Sequence, residues 1–180
     1  MALFDFFRKK NSAPAIRDLV WMNTAAKLRG CVALLAEHPD AVVAAWFSDT
    51  RAHFAEFMRN QNLHAEILPA ERLTPLLTDQ KTVLLLEHYP LKERETTLME
   101  SWTPGSVLVL SALDEPLFQR FGGENTIQLM QKLGMGPDEH LEHTLITRSI
   151  AQAQEKLASK SAVDHRGAPS AEAWFIAAGL

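Results

Sequence analysis

Apolar residues in this chain form short continuous runs that alternate with stretches of helical spacing. The continuous runs lie at residues 41–47, 64–68, 82–86 and 107–110. Runs with so few polar interruptions predict strands that are covered on both faces. Between them the spacing predicts a helix that begins at Ser48 or Asp49 and further helices over 72–77 and 91–102. The alternation predicts an α/β fold, with a mostly parallel sheet between two layers of helices.

The segment before the first run has a pattern of its own. Apolar residues recur at helical spacing between Ile16 and Leu35, and Pro39 follows them. This pattern predicts one long helix after Pro14. Gly30 is expected to weaken that helix by about 1 kcal/mol relative to alanine.

From about residue 114 onward the pattern predicts helices alone, at 116–121, 125–133 and 145–158. We therefore expect one domain over 14–158, with a helical extension from about 114. The small and polar residues 159–169 predict a linker, and residues 173–176 read Ala-Trp-Phe-Ile. Because such a cluster is unfavourable in water, it is expected to dock on its own domain, on a second copy or on another protein. Trp174 and Phe175 are thus candidate partner contacts.

Residues 1–13 form a separate tail that combines aromatic and basic residues. Phe4, Phe6 and Phe7 are followed at once by a basic run at 8–10. One interpretation is a weak membrane-surface contact through residues 1–10, in which the cations meet anionic lipid. The alternative is a tail whose aromatic side chains dock on the domain. The three phenylalanines are therefore candidate partner or membrane contacts.

The composition limits the classes of partner and the cellular compartment that are expected. The net charge of −4 gives no electrostatic reason to expect nucleic acid as a partner. The single cysteine, Cys31, excludes an internal disulfide and fits a reducing compartment. No apolar run approaches the roughly 20 residues that span a bilayer. We expect a cytoplasmic protein, either free or peripheral to the inner face of the membrane, without a cofactor.

The candidate chemistry in the sequence is sparse. Glu87 and His88 directly follow a predicted strand, and Ser48 follows another, so the three form a candidate pocket at the carboxyl edge of the sheet. Asp114 and Glu115 precede Pro116, which predicts that they cap the helix that begins there. The polar residues at 138–143 favour a solvated turn over a metal site. No catalytic, cofactor-binding or metal-binding residue is predicted.

Short motifs in the second half resemble a known family. They are the Pro-Gly-Ser turn at 104–106, Arg-Phe-Gly at 120–122, Lys-Leu-Gly-Met at 132–135 and Glu-His at 142–143, followed by a helix with Ile150, Ala153, Gln154 and Lys156. In this order and spacing they resemble the end of the second motor domain of SecA, the ATPase of bacterial protein translocation, where it enters the helical scaffold. The resemblance implies a RecA-like helicase domain, related to Rossmann folds, in a degenerate and single-domain form.

The charged chemistry of that family has no counterpart here. No G-x-x-x-x-G-K-[ST] motif occurs, and no arginine lies between Arg94 and Arg120. Residues 100–103, Glu-Ser-Trp-Thr, stand where the family has its arginine-rich motif. Since phosphoryl transfer needs such cations, no ATPase activity is expected. The sequence favours a non-catalytic module that binds another protein or a second copy, linked to translocation. The alternatives are a binder of nucleotides or small molecules, with or without enzymatic activity, and a peripheral membrane factor.

Overall fold

A six-stranded sheet forms the centre of the protein. The computed structural model describes residues 13–121, 136, 138–161 and 163–180. The strands are β1 Ile16–Trp21, β2 Val42–Ala45, β3 Ile67–Pro69, β4 Thr82–Leu85, β5 Ser106–Ala112 and β6 His140–Leu141. Their order across the sheet is β3-β2-β4-β5-β1-β6. All neighbouring strands are parallel except β6, which runs antiparallel to β1.

Helices cover both faces of this sheet. They are α1 Thr24–Glu37, α2 Ser48–Asn60, α3 Pro75–Thr78, α4 Lys92–Met99, α5 Pro116–Phe121, α6 Thr144–Lys160 and α7 Ala171–Ala177, with a 3-10 turn at Ala70–Arg72. Leu84 and Leu108 pack against α1 and α2 on one face, whereas Val83 and Val107 pack against Met99 of α4 on the other. The side chains of β4 and β5 are buried on both faces, which explains their continuous apolar sequence. The predicted α/β fold class is confirmed.

The prediction of one helix between Ile16 and Leu35 is wrong in its first third. Ile16–Trp21 is β1, which pairs with β5 over its whole length, and helix α1 begins only at Thr24. The side chain of Asn23 accepts the N–H of Ala26 and caps that helix. The helical spacing was misleading because β1 is covered on both faces, so its apolar residues show no alternation.

Gly30 also has a different role from the one predicted. A methyl group on Gly30 would lie 2.3 Å from Cζ2 of Trp21, whose ring packs against α1 at this residue. The glycine therefore permits the close approach of α1 to β1. Its cost to helix propensity is small beside the overlap that any side chain would create.

The carboxyl-terminal helices form a third apolar cluster. Trp174 and Phe175 of α7 are 0% exposed and pack with Leu117 and Phe118 of α5 and Ile150 of α6. Of the three docking alternatives for this segment, the structure has the first, docking on its own domain. Trp174 and Phe175 thus fill the protein's own core, and neither side chain is exposed on the docked helix. The predicted helix at 125–133 and the candidates Phe4, Phe6 and Phe7 lie outside the described residues.

Candidate pocket at the carboxyl edge of the sheet

A cavity of about 190 Å³ lies where the carboxyl ends of β4 and β5 meet the amino-terminal turns of α1, α2, α5 and α7. The polar side chains in its lining include Lys27, Thr50, His53, Glu87, Glu115 and Glu172. Ligands of parallel α/β sheets bind at this edge. The volume is below the roughly 300–1,000 Å³ of pockets for drug-sized ligands. The cavity can therefore hold water or a small molecule, but it is too small to enclose a nucleotide.

Lys27 is a buried cation in the wall of this cavity. Its side chain is 2% exposed, and its Nζ donates to the carbonyl oxygen of Leu86 at 2.8 Å and to the carboxylate of Glu115. The ammonium group also lies 5.3 Å from the centre of the Phe54 ring. Its charge is thus neutralised within the protein.

The two carboxylates before α5, Asp114 and Glu115, contact α1 and not the helix that the sequence predicted. Glu115 binds Lys27 of α1. Asp114 accepts hydrogen bonds from the backbone N–H of Thr24 at 3.0 Å and from its hydroxyl at 2.8 Å. Both therefore tie the start of α5 to α1, and the prediction that they cap their own helix is wrong. Sequence spacing could not find these partners because about 90 residues separate them.

Glu87 organises the start of α2. Its Oε1 accepts the backbone N–H groups of Trp46 at 3.1 Å and Phe47 at 3.0 Å, and its Oε2 accepts the hydroxyl of Thr50 at 2.5 Å. Burial raises the pKa of Glu87 to about 7, although the Thr50 hydroxyl, Lys27 and the Phe47 N–H act in the opposite direction. These bonds fix the two residues just before α2, which has no side-chain cap at Phe47, whereas the N–H of Asp49 in its first turn donates to the carbonyl oxygen of Pro169.

His88 lies between two buried carboxylates. Its Nε2 is 3.0 Å from Oδ1 of Asp18 on β1, and its Nδ1 is 3.1 Å from Oε1 of Glu95 on α4. Burial alone would lower the pKa of His88, but Glu95 and Asp18 outweigh it and raise the pKa to about 10. The imidazolium cation is thus the stable form at neutral pH. Because both ring nitrogens have partners, His88 offers no free nitrogen to a ligand.

Gln154 of α6 completes this network. Its Nε2 donates to Oε2 of Glu95 at 2.9 Å and to the carbonyl oxygen of Tyr89 at 2.8 Å. Burial raises the pKa of Asp18, but hydrogen bonds from His88 and Thr147 reverse this, and the net shift is downward. The network therefore joins β1, the end of β4, α4 and α6 through ionised and hydrogen-bonded groups.

The structure brings two of the three predicted pocket residues together. Glu87 and His88 line the cavity, whereas the hydroxyl of Ser48 contacts Oδ1 of Asp49 and the carbonyl oxygen of Pro169, each at 3.3 Å. Ser48 is not among the lining residues. Sequence reasoning missed the partners of the pair. Asp18 lies in a segment that was predicted to be helical, and Lys27 and Glu95 lie within predicted helices where no local pattern indicates a partner.

The polar residues at 138–143 are engaged in separate contacts. Glu142 forms a two-pronged ion pair with Arg17 at 2.8 Å, and Asp138 pairs with Arg29. Nδ1 of His143 accepts the N–H of Leu145 at the start of α6. Among the described residues, no group of three histidine, cysteine or acidic side chains is arranged to hold a metal ion.

Comparison with known proteins gives a partial match. No family model matches the chain. A 58-residue segment is 43% identical to the protein translocase subunit SecA of Acidithiobacillus ferrooxidans, and 58 residues are 38% identical to that of Alkaliphilus oremlandii. The SecA subunit of Legionella pneumophila is 43% identical over 54 residues. About a third of the chain is SecA-like.

The match covers 30–32% of this chain and 6% of each relative, so it establishes a SecA-like region and leaves most of each relative without a counterpart here. None of the helices in the described part of the chain is long and apolar enough to cross a membrane.

Proposed function

We propose that this chain is a non-catalytic, SecA-like module that binds another protein or a second copy of itself in protein translocation. The link to translocation rests on the match to SecA subunits over a third of the chain. The absence of catalysis rests on the sequence, which has no phosphate-binding loop of the G-x-x-x-x-G-K-[ST] type.

One observation at the carboxyl edge carries this proposal. Lys27, the lysine in the lining of the cavity, is neutralised by Glu115, and the same lining contains the carboxyl group of Glu87 and that of Glu172, which pairs with Arg120. Catalysis of phosphoryl transfer requires cations that face the developing negative charge. Here a phosphate would meet carboxylates and a lysine that already has an anionic partner.

Phosphate release and nucleotide binding by the purified full-length chain test the absence of catalysis. With ATP and Mg²⁺, we expect no phosphate above that of a heat-denatured sample, and no thermal shift with ATP or ADP. Active SecA serves as the positive control. Turnover above the denatured control, if it is lost in the Lys27→Met variant, would show that the cavity is a working nucleotide site.

Binding to the translocation machinery tests the assigned process. We expect the chain to co-sediment with inner-membrane vesicles that contain the machinery, or to bind purified SecA with saturation. Vesicles stripped of peripheral proteins distinguish these two partners. Binding that is equal on protein-free liposomes of the same lipids would instead identify a peripheral membrane factor that acts through residues 1–10.

The second candidate function is binding of a small molecule, which the cavity at the carboxyl edge favours. Its ligand would be small and polar, because the cavity encloses only about 190 Å³ and has polar side chains in its lining. A thermal-shift screen of polar metabolites tests this function. His53→Ala is the suitable variant, because His53 lines the cavity but lies outside the buried network of His88.

A further inference from the structure

An apolar groove lies at the opposite, amino edge of the sheet. It encloses about 580 Å³ between α1, the end of α2 and the amino ends of β2 and β3. Its apolar lining includes Val32, Leu35, Val42, Met58, Leu63 and Leu68. A second hollow of about 410 Å³ continues it past Leu63. The groove is three times as large as the cavity at the carboxyl edge, and its size suits a peptide segment with large side chains.

One carboxylate lies in the lining of this groove, and two more lie next to lining residues in the sequence. Glu66 lines it, and the exposed Glu37 and Asp40 flank the lining residues at 36–41. Within the described part of the chain, none of the three forms an ion pair. The adjoining hollow contributes one cation, Arg59. The rim is therefore suited to a partner that is apolar on one side and basic on the other.

The sequence of residues 3–10 has this chemistry. It reads Leu-Phe-Asp-Phe-Phe-Arg-Lys-Lys, with four large apolar side chains and three cations against a single aspartate. A phenylalanine brings about 150–250 Å² of surface to a contact, so two or three of them can cover the groove.

The segment is also long enough to reach it. Ile16 lies level with Val107, Val83 and Val42 across four neighbouring strands. Three strand spacings of about 4.8 Å place Ile16 about 14 Å from Val42 at the groove. Ala13, which packs in the same apolar cluster as Ile16, is the first described residue, and the six residues from Phe7 to Ala13 can span about 20 Å. Because the groove residues Val42 and Leu68 pack against that same cluster, the chain can pass along the amino edge to the groove.

We propose that residues 3–10 bind in this groove of the same molecule. Their aromatic side chains cover its apolar lining, and their cations lie beside its carboxylates. Because the same phenylalanines cannot face a lipid surface at the same time, docking competes with any membrane contact of the segment. This proposal is independent of the function proposed above.

Disulfide trapping in the full chain tests the proposal. The variant Phe7→Cys/Leu63→Cys places one thiol on the segment and one in the lining. The control, Phe7→Cys/Lys81→Cys, places the second thiol before β4, one strand nearer to Ile16, where an undocked tether reaches it more readily. The native Cys31 is buried, and burial raises its pKa to about 12, so it does not compete under mild oxidation.

In the Phe7→Cys/Leu63→Cys variant, the groove pair of cysteines, we expect the disulfide to form within one molecule about tenfold faster than in the control pair. Its rate should not change on dilution. Adding Glu66→Lys and Asp40→Lys is expected to slow closure severalfold, because the rim then repels the basic run. Amide exchange supplies a second readout. Phe4→Ser/Phe6→Ser in the full chain should speed exchange at residues 63–68 and leave residues 82–86 unchanged.

Three outcomes overturn the proposal. Closure of the groove pair no faster than the control means that the segment does not dock there. Disulfides that form only between molecules and disappear on dilution identify a second copy as the occupant. No closure above control, together with pelleting of the wild-type chain on anionic phospholipid vesicles, identifies a membrane contact.

Discussion

The replacement of His88 by glutamine tests the buried charge network most directly. The change keeps an N–H donor near the carboxylates but removes the cation between Asp18 and Glu95, which are 3% and 2% exposed. Removing one partner from a buried ion pair costs about 3–5 kcal/mol, because the other charge remains buried without compensation. A rise in pKa from 6.5 to about 10 corresponds to a stabilisation of the same order, at about 1.4 kcal/mol per unit.

The pH dependence of this loss separates charge from packing. Since the pKa of His88 is raised in the folded protein, its contribution is complete below the unfolded value of 6.5 and is lost as the pH rises through about 10. The difference in unfolding free energy between wild type and His88→Gln should therefore be largest at pH 6–6.5 and decrease toward pH 10. For a chain of this size the full loss corresponds to a fall in Tm of about 6–20 °C.

Urea unfolding, followed by tryptophan fluorescence and far-UV circular dichroism between pH 6 and 10, measures this difference. His53→Gln is the matched control, because His53 is an exposed histidine on α2 and its loss should change stability by about 0.5 kcal/mol at most. A difference below about 1 kcal/mol at pH 6.5, or one that stays constant to pH 10, would refute the ionic role of His88.

Three further substitutions test the packing described above. Trp174→Ala should lower the free energy of unfolding in urea by about 3–5 kcal/mol, because this side chain is 0% exposed. Ile176→Ala on the same helix should cost under about 0.5 kcal/mol, because that side chain is 65% exposed. Equal losses would contradict the docking of α7. Gly30→Ala should destabilise by about 1–3 kcal/mol through overlap with Trp21, and a stabilised variant in thermal unfolding would contradict the close approach of α1. Arg17→Ala removes an ion pair whose side chains are 56% and 40% exposed, so a measured loss above about 1 kcal/mol would be unexpected.

The central strands and helix α2 could be predicted because their signals are local. β4 and β5 are short apolar runs between polar segments, and α2 begins at Ser48 as expected. The two-residue strand β6 has no such signal, since His140 and Leu141 become a strand only by pairing with Trp21 and Val20. Local pattern could not separate β1 from α1 either, because both contribute apolar residues to the same core cluster.

The pocket shows the same division between local and distant information. Glu87 and His88 could be placed at the carboxyl edge because they directly follow a strand. Their partners could not be predicted, since Asp18 is 70 residues from His88 and Glu115 is 88 residues from Lys27. Charge pairs between distant elements form only when the sheet has assembled. A single sequence contains no periodicity or spacing from which they could be predicted.

These charge pairs determine which substitutions would be needed before a nucleotide could bind at this edge. A phosphate that entered the cavity would have to displace Glu115 from Lys27, and it would still face Glu87 and Glu172. Adding an arginine alone would therefore not create a phosphate site, because the new cation would first be neutralised by the carboxylates already there. Both changes would be needed together, the removal of acidic groups and the addition of basic ones. However, Glu87 holds the start of α2 and Glu115 holds Lys27, so removing either carboxylate leaves buried donors or a buried cation without a partner. The same carboxylates that disfavour phosphate thus stabilise the fold, so replacing them to create a phosphate site would be energetically costly.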